Sequence, residues 1–226
     1  MLFPAVFISL FLFTRPALFL NRPELDRFIV LLGILIALTG QLLRFTVIGF
    51  AYIKRGGKEG KVYADDLVIQ GFYAHVRNPM YVGNFLITIG VGIVYGSPWI
   101  YFFIIPFFTF VYLAIVTAEE NYLRQKFGAQ YEHYENTVNR FIPNFNGLQE
   151  TLKDFKYDWK KALRKEYGTM FGTMAGILLI LIWKHYVVFG WAAGQGIIIN
   201  LALLLIPAIL FYGIVRYLKL TKRLAS

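Results

Sequence analysis

Apolar runs long enough to cross a bilayer recur from one end of this 226-residue chain to the other. A helix needs about 20 residues to span the hydrocarbon core, and only helices or closed barrels satisfy their own backbone there. Six such runs can be drawn, at residues 2–20, 28–53, 79–96, 99–118, 169–189 and 196–217. A cleavable signal peptide does not account for runs that recur along the whole length. Hydrophobic residues make up 58% of the chain and charged residues only 16%, which leaves little material for a soluble domain. The expected fold class is all-α, a polytopic integral membrane helical bundle of about six transmembrane helices.

The pattern divides the chain into N-terminal spans (1–53), a central core (54–147), an amphipathic basic segment (148–168) and two C-terminal spans (169–226). Lys54, Arg55, Lys58, Lys61 and Arg77 lie between spans two and three. A longer basic series runs from Arg124 to Lys165, and Lys219, Lys222 and Arg223 lie near the end. Basic loops mark the cytosolic side. These segments and the C-terminus are therefore expected in the cytosol, with the chain in a prokaryotic cytoplasmic membrane. The opposite loops carry Arg15, Arg22, Arg27 and Lys184. The net charge of +10 is read the same way, as orientation and contact with anionic membrane lipids, with no nucleic acid as partner.

Within 148–168, Leu148, Leu152, Phe155, Trp159 and Leu163 are spaced four, three, four and four apart. That gives one apolar stripe, and a single amphipathic helix is expected, on the membrane surface or on the protein's own polar face. Gly168, Gly172 and Gly176 form a small-xxx-small series of the kind that lets helices pack closely. It leaves a dimer open without requiring one. Cysteine is absent, which excludes disulfides, thiolate sites and cysteine nucleophiles. His75, His133 and His185 are far apart, so no metal site is expected.

Chemistry concentrates in two places. In GFYAHVRNPMYVGNFLI (71–87), Pro79 suits the first position of a helix and Asn78 suits its N-cap. The positive end of span three, reinforced by Arg77, would attract an anion, with Tyr73 and Tyr81 offering aromatic faces. In TAEENYL (117–123), Glu119 and Glu120 fall at the expected C-terminal end of span four, where the helix dipole disfavours acids and a positive partner is wanted. A hairpin at Ser97-Pro98 would return the two glutamates to the level of Asn78–Tyr81. Such a site suits a zwitterion with a central cation, and S-adenosylmethionine has that form. Sulfonium methyl transfer needs mainly alignment in a dry pocket.

The segments LVIQGFYAHVRNPMYVGNFL and EENYLRQKFGAQYEHYENTVNRFIP resemble the paired motifs of the isoprenylcysteine carboxyl methyltransferase family, membrane-embedded enzymes related to phospholipid methyltransferases. The resemblance covers about 65–143. It implies an S-adenosylmethionine-dependent methyltransferase acting on a lipophilic acceptor from the bilayer: an isoprenylcysteine-like carboxylate, a phospholipid amine or another small lipid. It implies cofactor contacts from Asp65, Asp66, Leu67, Val68, Tyr73, Asn78, Pro79, Met80, Tyr81 and Glu119. The tail residues Tyr131, Tyr134, Arg140 and Pro143 match the part that folds over the cofactor in relatives. Arg77, Glu119 and Glu120 are the candidate catalytic residues, and His75 borders the same pocket.

Two positions depart from the family pattern. Asn78 stands where a histidine is usual, so this position cannot titrate near neutrality. Ile115 stands where prenylcysteine enzymes place the arginine that meets the substrate carboxylate, so the substrate-binding position is apolar. A membrane sterol or lipid reductase and a non-enzymatic transporter or scaffold are the competing classes. The first would need a dinucleotide site, and no GxGxxG is present; the second would need ionisable residues deep in the spans.

Overall fold

In a computed structural model, residues 14–50, 55–58, 61–64, 66–153 and 156–224 are described. Among them are α1 (Pro23–Phe50), β1 (Arg55–Lys58), β2 (Lys61–Ala64), α2 (Pro79–Tyr95), α3 (Ile105–Phe127), α4 (Ala129–Thr137), α5 (Leu148–Lys153) and α6 (Trp159–Leu220). A single turn of π-helix, Ile100–Ile104, leads into α3. Three helical stretches, Pro23–Phe50, Ile100–Phe127 and Trp159–Leu220, are long and apolar enough to cross a membrane, and α2 is a shorter apolar helix. The membrane-helical expectation therefore stands. The first expected span lies mostly outside the described residues, and residues 14–18 of it are not helical.

Several boundaries differ from those the apolar runs suggest. Span four does not end at Glu119–Glu120. The helix continues to Phe127 and places Arg124 and Lys126 in its last turn, where basic side chains complement the dipole. The two C-terminal spans are one helical run that begins ten residues before the expected 169 and breaks at Gly190 (φ 71, ψ 172). Only glycine adopts such a backbone cheaply. The linker between α1 and α2 is not purely irregular: β1 and β2 pair antiparallel, Arg55 opposite Ala64 and Lys58 opposite Lys61.

The single amphipathic helix expected over 148–168 is interrupted. Leu148–Lys153 forms α5, and the chain restarts at Trp159, with the Asp158 carboxylate accepting from the Lys161 N–H as N-cap. Tyr157, between the two, turns inward, its ring 5.0 Å from Phe50 and its hydroxyl on the Phe45 carbonyl. The apolar spacing is broken because this aromatic residue is the anchor.

The described residues fall into two compact units. The first contains the chain up to Leu38, Leu86–Phe108 and Gly168–Ile214. Its core joins Ala37, Val91, Val94, Tyr95, Ile100, Ile177 and Ile180. There α1 and α2 touch backbone to backbone, since a Cβ on Gly33 would lie 2.8 Å from the Gly90 carbonyl oxygen. Lys184, read from the sequence as a loop residue, is buried: its Nζ donates to Asp26 Oδ1 at 2.7 Å and lies 3.4 Å from the Val94 carbonyl. A charge in an apolar interior persists only when paired in this way.

The second unit contains Thr39–Phe85, Thr109–Tyr167 and Val215–Ser226. Its helices are tied by a polar centre. Arg44 of α1 meets Glu166 of α6 through two bonds, Nε to Oε2 at 2.7 Å and Nη2 to Oε1 at 2.6 Å, and also donates to Asn84 of α2. Gln41 donates to the same carboxylate at 3.2 Å. Arg44 is thus matched charge for charge inside its span.

Candidate functional site

The start of α2 and the glutamates of α3 come together in the second unit. Asn78 donates from its side-chain amide to Glu120 Oε1 at 2.8 Å, and the Tyr81 hydroxyl donates to Glu119 Oε1 at 2.9 Å. Adjacent glutamates point about 100° apart on a helix, so each reaches a different residue of the opposing turn. Tyr112, seven residues before Glu119, packs its ring edge against Tyr81 at 6.2 Å. Ile115 is half-buried between Tyr112 and Glu119 in the α3 sequence.

Glu120 is almost fully buried and paired with two arginines. Arg140 Nη2 lies 2.9 Å from its Oε2 and the Arg77 Nε lies 3.9 Å from its Oε1. Arg140 also donates to Thr117 Oγ1, one turn back along α3, at 2.7 Å. The chain of charges continues, since Arg77 Nη1 lies 3.3 Å and Arg124 Nη2 2.7 Å from Glu135 Oε2. Three guanidinium groups therefore alternate with two carboxylates. Glu135 was not singled out in the sequence; the motif leaves its position unspecified, and only its place four residues after Tyr131 could have marked it. The Arg124 guanidinium holds the Glu135 carboxyl below its ordinary value.

The tail after α4 folds onto the segment before α2 through its backbone. The Arg77 N–H donates to the Asn139 carbonyl and the Asn144 N–H to the His75 carbonyl, both at 2.9 Å. The His75 ring locks the same register. Its Nδ1 is 2.7 Å from the Asn144 carbonyl, which can only accept, and its Nε2 is 3.0 Å from Thr151 Oγ1 on α5. His75 is a structural latch in this arrangement. Tyr134 donates to the Tyr73 carbonyl at 2.7 Å. Tyr131 is buried beside it, and burial, with the Glu120 charge next, pushes its phenol up to about 12, so it stays protonated.

The remaining expected contacts separate. Asp65 lies outside the described residues, and Asp66 is exposed. Leu67 packs on the cluster of Leu123, Tyr131 and Tyr134, whereas Val68 and Met80 pack on Val47 and Tyr73. Those apolar side chains hold the 66–70 segment against the α2 start. Pro79 is buried as the first residue of α2, where the Tyr81 N–H reaches the Asn78 carbonyl and the Val82 N–H makes the first regular helix bond to it. Arg77 and Arg140 add positive charge at this place. The Nε groups of Arg77 and Arg140 are buried and make no hydrogen bond among the described residues. The donor set, two guanidinium edges beside a carboxylate and tyrosine rings, fits a zwitterionic ligand of the S-adenosylmethionine type.

Residues 28–130 match the family described as phospholipid methyltransferase. The match takes in most of α1, all of α2 and α3, and so Asn78, Tyr81, Glu119 and Glu120; it covers somewhat under half of the chain and stops before Glu135 and Arg140. No curated protein and no solved structure matches the chain. Through residues 28–130, and not over its whole length, this membrane protein is similar to the phospholipid methyltransferase family.

Proposed function

We propose that the protein is an S-adenosylmethionine-dependent methyltransferase whose acceptor is a lipophilic molecule drawn from the bilayer. The observation that carries this reading is the pair of bonds, Asn78 to Glu120 and Tyr81 to Glu119, that unites the two motif segments at one place. S-adenosylmethionine supplies an activated methyl group on a sulfonium, so the protein's part is binding, orientation and exclusion of water.

Each residue has a role consistent with its contacts. Arg77 and Arg140 offer their unmatched Nε edges to the carboxylate of the cofactor's amino-acid end. Glu119, fixed by the Tyr81 hydroxyl, faces the cationic part and the ribose hydroxyls. Glu120 and Asn78 are positioning residues that hold the α2 start on α3. Tyr81 and Tyr112 supply aromatic walls, and Ile115 an apolar one toward the acceptor. A neutral lipid or an amine headgroup suits that apolar wall better than a free carboxylate does.

Calorimetry with S-adenosylhomocysteine on detergent-purified protein tests the binding half of this reading. Transfer of a tritiated methyl group into a total lipid extract tests the catalytic half. Heat of binding together with a labelled lipid is the expected result. The absence of both overturns the reading.

A further inference from the structure

The long helix α6 reverses at Gly190 and brings its two ends back to one place within the second unit. Arg164 Nη1 donates to the Leu224 carbonyl at 3.2 Å, and Lys219 Nζ lies 5.0 Å from the centre of the Tyr167 ring. Lys160, Arg164 and Lys165 from the start of the helix thereby join Lys219, Lys222 and Arg223 from its end. Among the described residues none of these six forms an ion pair with a carboxylate.

Among the described residues, the two acids at the start of α6 are committed elsewhere. Asp158 caps the helix at the Lys161 N–H, and Glu166 turns inward to Arg44 at 2% exposure. The first turns of α6 therefore have an inner face of Ala162 and Glu166, both buried, and an outer face that is basic. Beside the charges stand large exposed side chains: Trp159, Tyr217 and Leu220. Trp and Tyr next to basic residues mark a membrane–water boundary. An acidic soluble partner or a nucleic acid would meet charge alone here, not charge ringed by exposed apolar surface.

We propose that this end of the α6 hairpin binds the phosphate of an anionic phospholipid, with Lys165, Lys219 and Arg223 as the main contacts. Orienting a chain needs only basic charge near the ends of its spans. It does not need two charged segments about fifty residues apart held together by the Arg164–Leu224 bond. Each basic side chain near an anionic surface contributes about 1 kcal/mol. A phosphate seated among three of them would be held roughly a hundredfold tighter than one left with none.

The test uses full-length protein in nanodiscs and in detergent. Retention of phosphatidylglycerol and phosphatidylcholine is measured by native mass spectrometry, with inorganic phosphate as a soluble arm. The variant K165Q/K219Q/R223Q removes three exposed contacts and leaves Arg164 to close the hairpin. The variant R22Q/R27Q/K153Q removes the same charge elsewhere. Preferential retention of phosphatidylglycerol is expected, weakened about a hundredfold in the first variant and unchanged in the second. Equal retention of the two lipids, equal loss in both variants, or wild-type retention in the first variant would overturn the proposal. Binding of inorganic phosphate as tight as that of the lipid would overturn the lipid assignment.

Discussion

Tyr81 and Glu119 share a 2.9 Å hydrogen bond that joins the first turn of α2 to α3, across 38 residues of sequence. The tyrosine packs against Tyr112 and is at the same time the hydrogen-bond donor to a carboxylate. Removing the hydroxyl in Tyr81→Phe should weaken S-adenosylhomocysteine binding by about 1 kcal/mol, and Glu119→Ala should weaken it by about 1–3 kcal/mol. Titration calorimetry on the two variants checks this, and wild-type affinity in both would remove them from the site.

Glu120 should behave differently from its neighbour. It is buried and carries Asn78 and Arg140 together, so Glu120→Ala leaves Arg140 without its carboxylate and Asn78 without its acceptor. Breaking a buried pair from one side typically costs about 3–5 kcal/mol. The expected outcome is a lower thermal midpoint in detergent, with or without cofactor. A variant with unchanged midpoint but lost binding would make Glu120 a cofactor contact and not a positioning residue.

The Arg44–Glu166 pair allows a cleaner separation of charge from shape. Glu166→Gln should destabilise the protein by a similar amount, because the guanidinium stays buried with a weaker partner. The double change Arg44→Met with Glu166→Met should recover much of the loss, since apolar replacement of a whole buried pair is often neutral or better. Thermal midpoints of the wild type, the single and the double variant decide it. A double variant as unstable as the single one would mean that Asn84 needs Arg44 and Gln41 needs Glu166.

Acid should loosen the tail at Glu135. Its carboxyl lies below the ordinary 4.5, first through the hydrogen bond from Arg124. A depressed acid contributes stability that is present above its unfolded value and lost as pH falls through its folded one. The thermal midpoint should therefore decline below about pH 4.5, and Glu135→Gln should flatten part of that decline. An unchanged acid limb in the variant would place the responsible carboxylate elsewhere.

The α2–α3 pairing was legible because Pro79, the Ser97-Pro98 break and two apolar runs of similar length fix a hairpin by helix geometry alone. The end of α3 was not, since two adjacent acids after an apolar run read as its terminus, whereas the helix continues to Phe127 with Arg124 and Lys126 in its last turn. The same blindness hid Lys184 and Glu166. A charged residue inside an apolar pattern reads as a boundary, and only its partner, Asp26 or Arg44, more than 120 residues away, shows that it is interior. Tyr157 defeated the 148–168 stripe for the opposite reason, because one aromatic anchor outweighs a regular spacing.

Ile115 gives the sharpest expectation about the acceptor. The position lies one turn before Glu119 on α3, in the stretch that also presents Tyr112 to Tyr81. An apolar side chain there cannot pair a carboxylate, and an uncompensated buried charge typically costs about 3–5 kcal/mol. Falling on the transition state, that is about a hundredfold to several thousand-fold in rate, at about tenfold per 1.4 kcal/mol. A farnesylcysteine analogue should therefore be methylated poorly or not at all, and lipids with neutral or amine headgroups should be better acceptors. Competition between the two classes for a tritiated methyl group measures the preference directly. Efficient methylation of farnesylcysteine would shift the carboxylate to Arg140, whose guanidinium already reaches Thr117, two residues along α3 from Ile115. In that case Arg140→Gln would abolish the activity and Ile115→Arg would leave it unchanged.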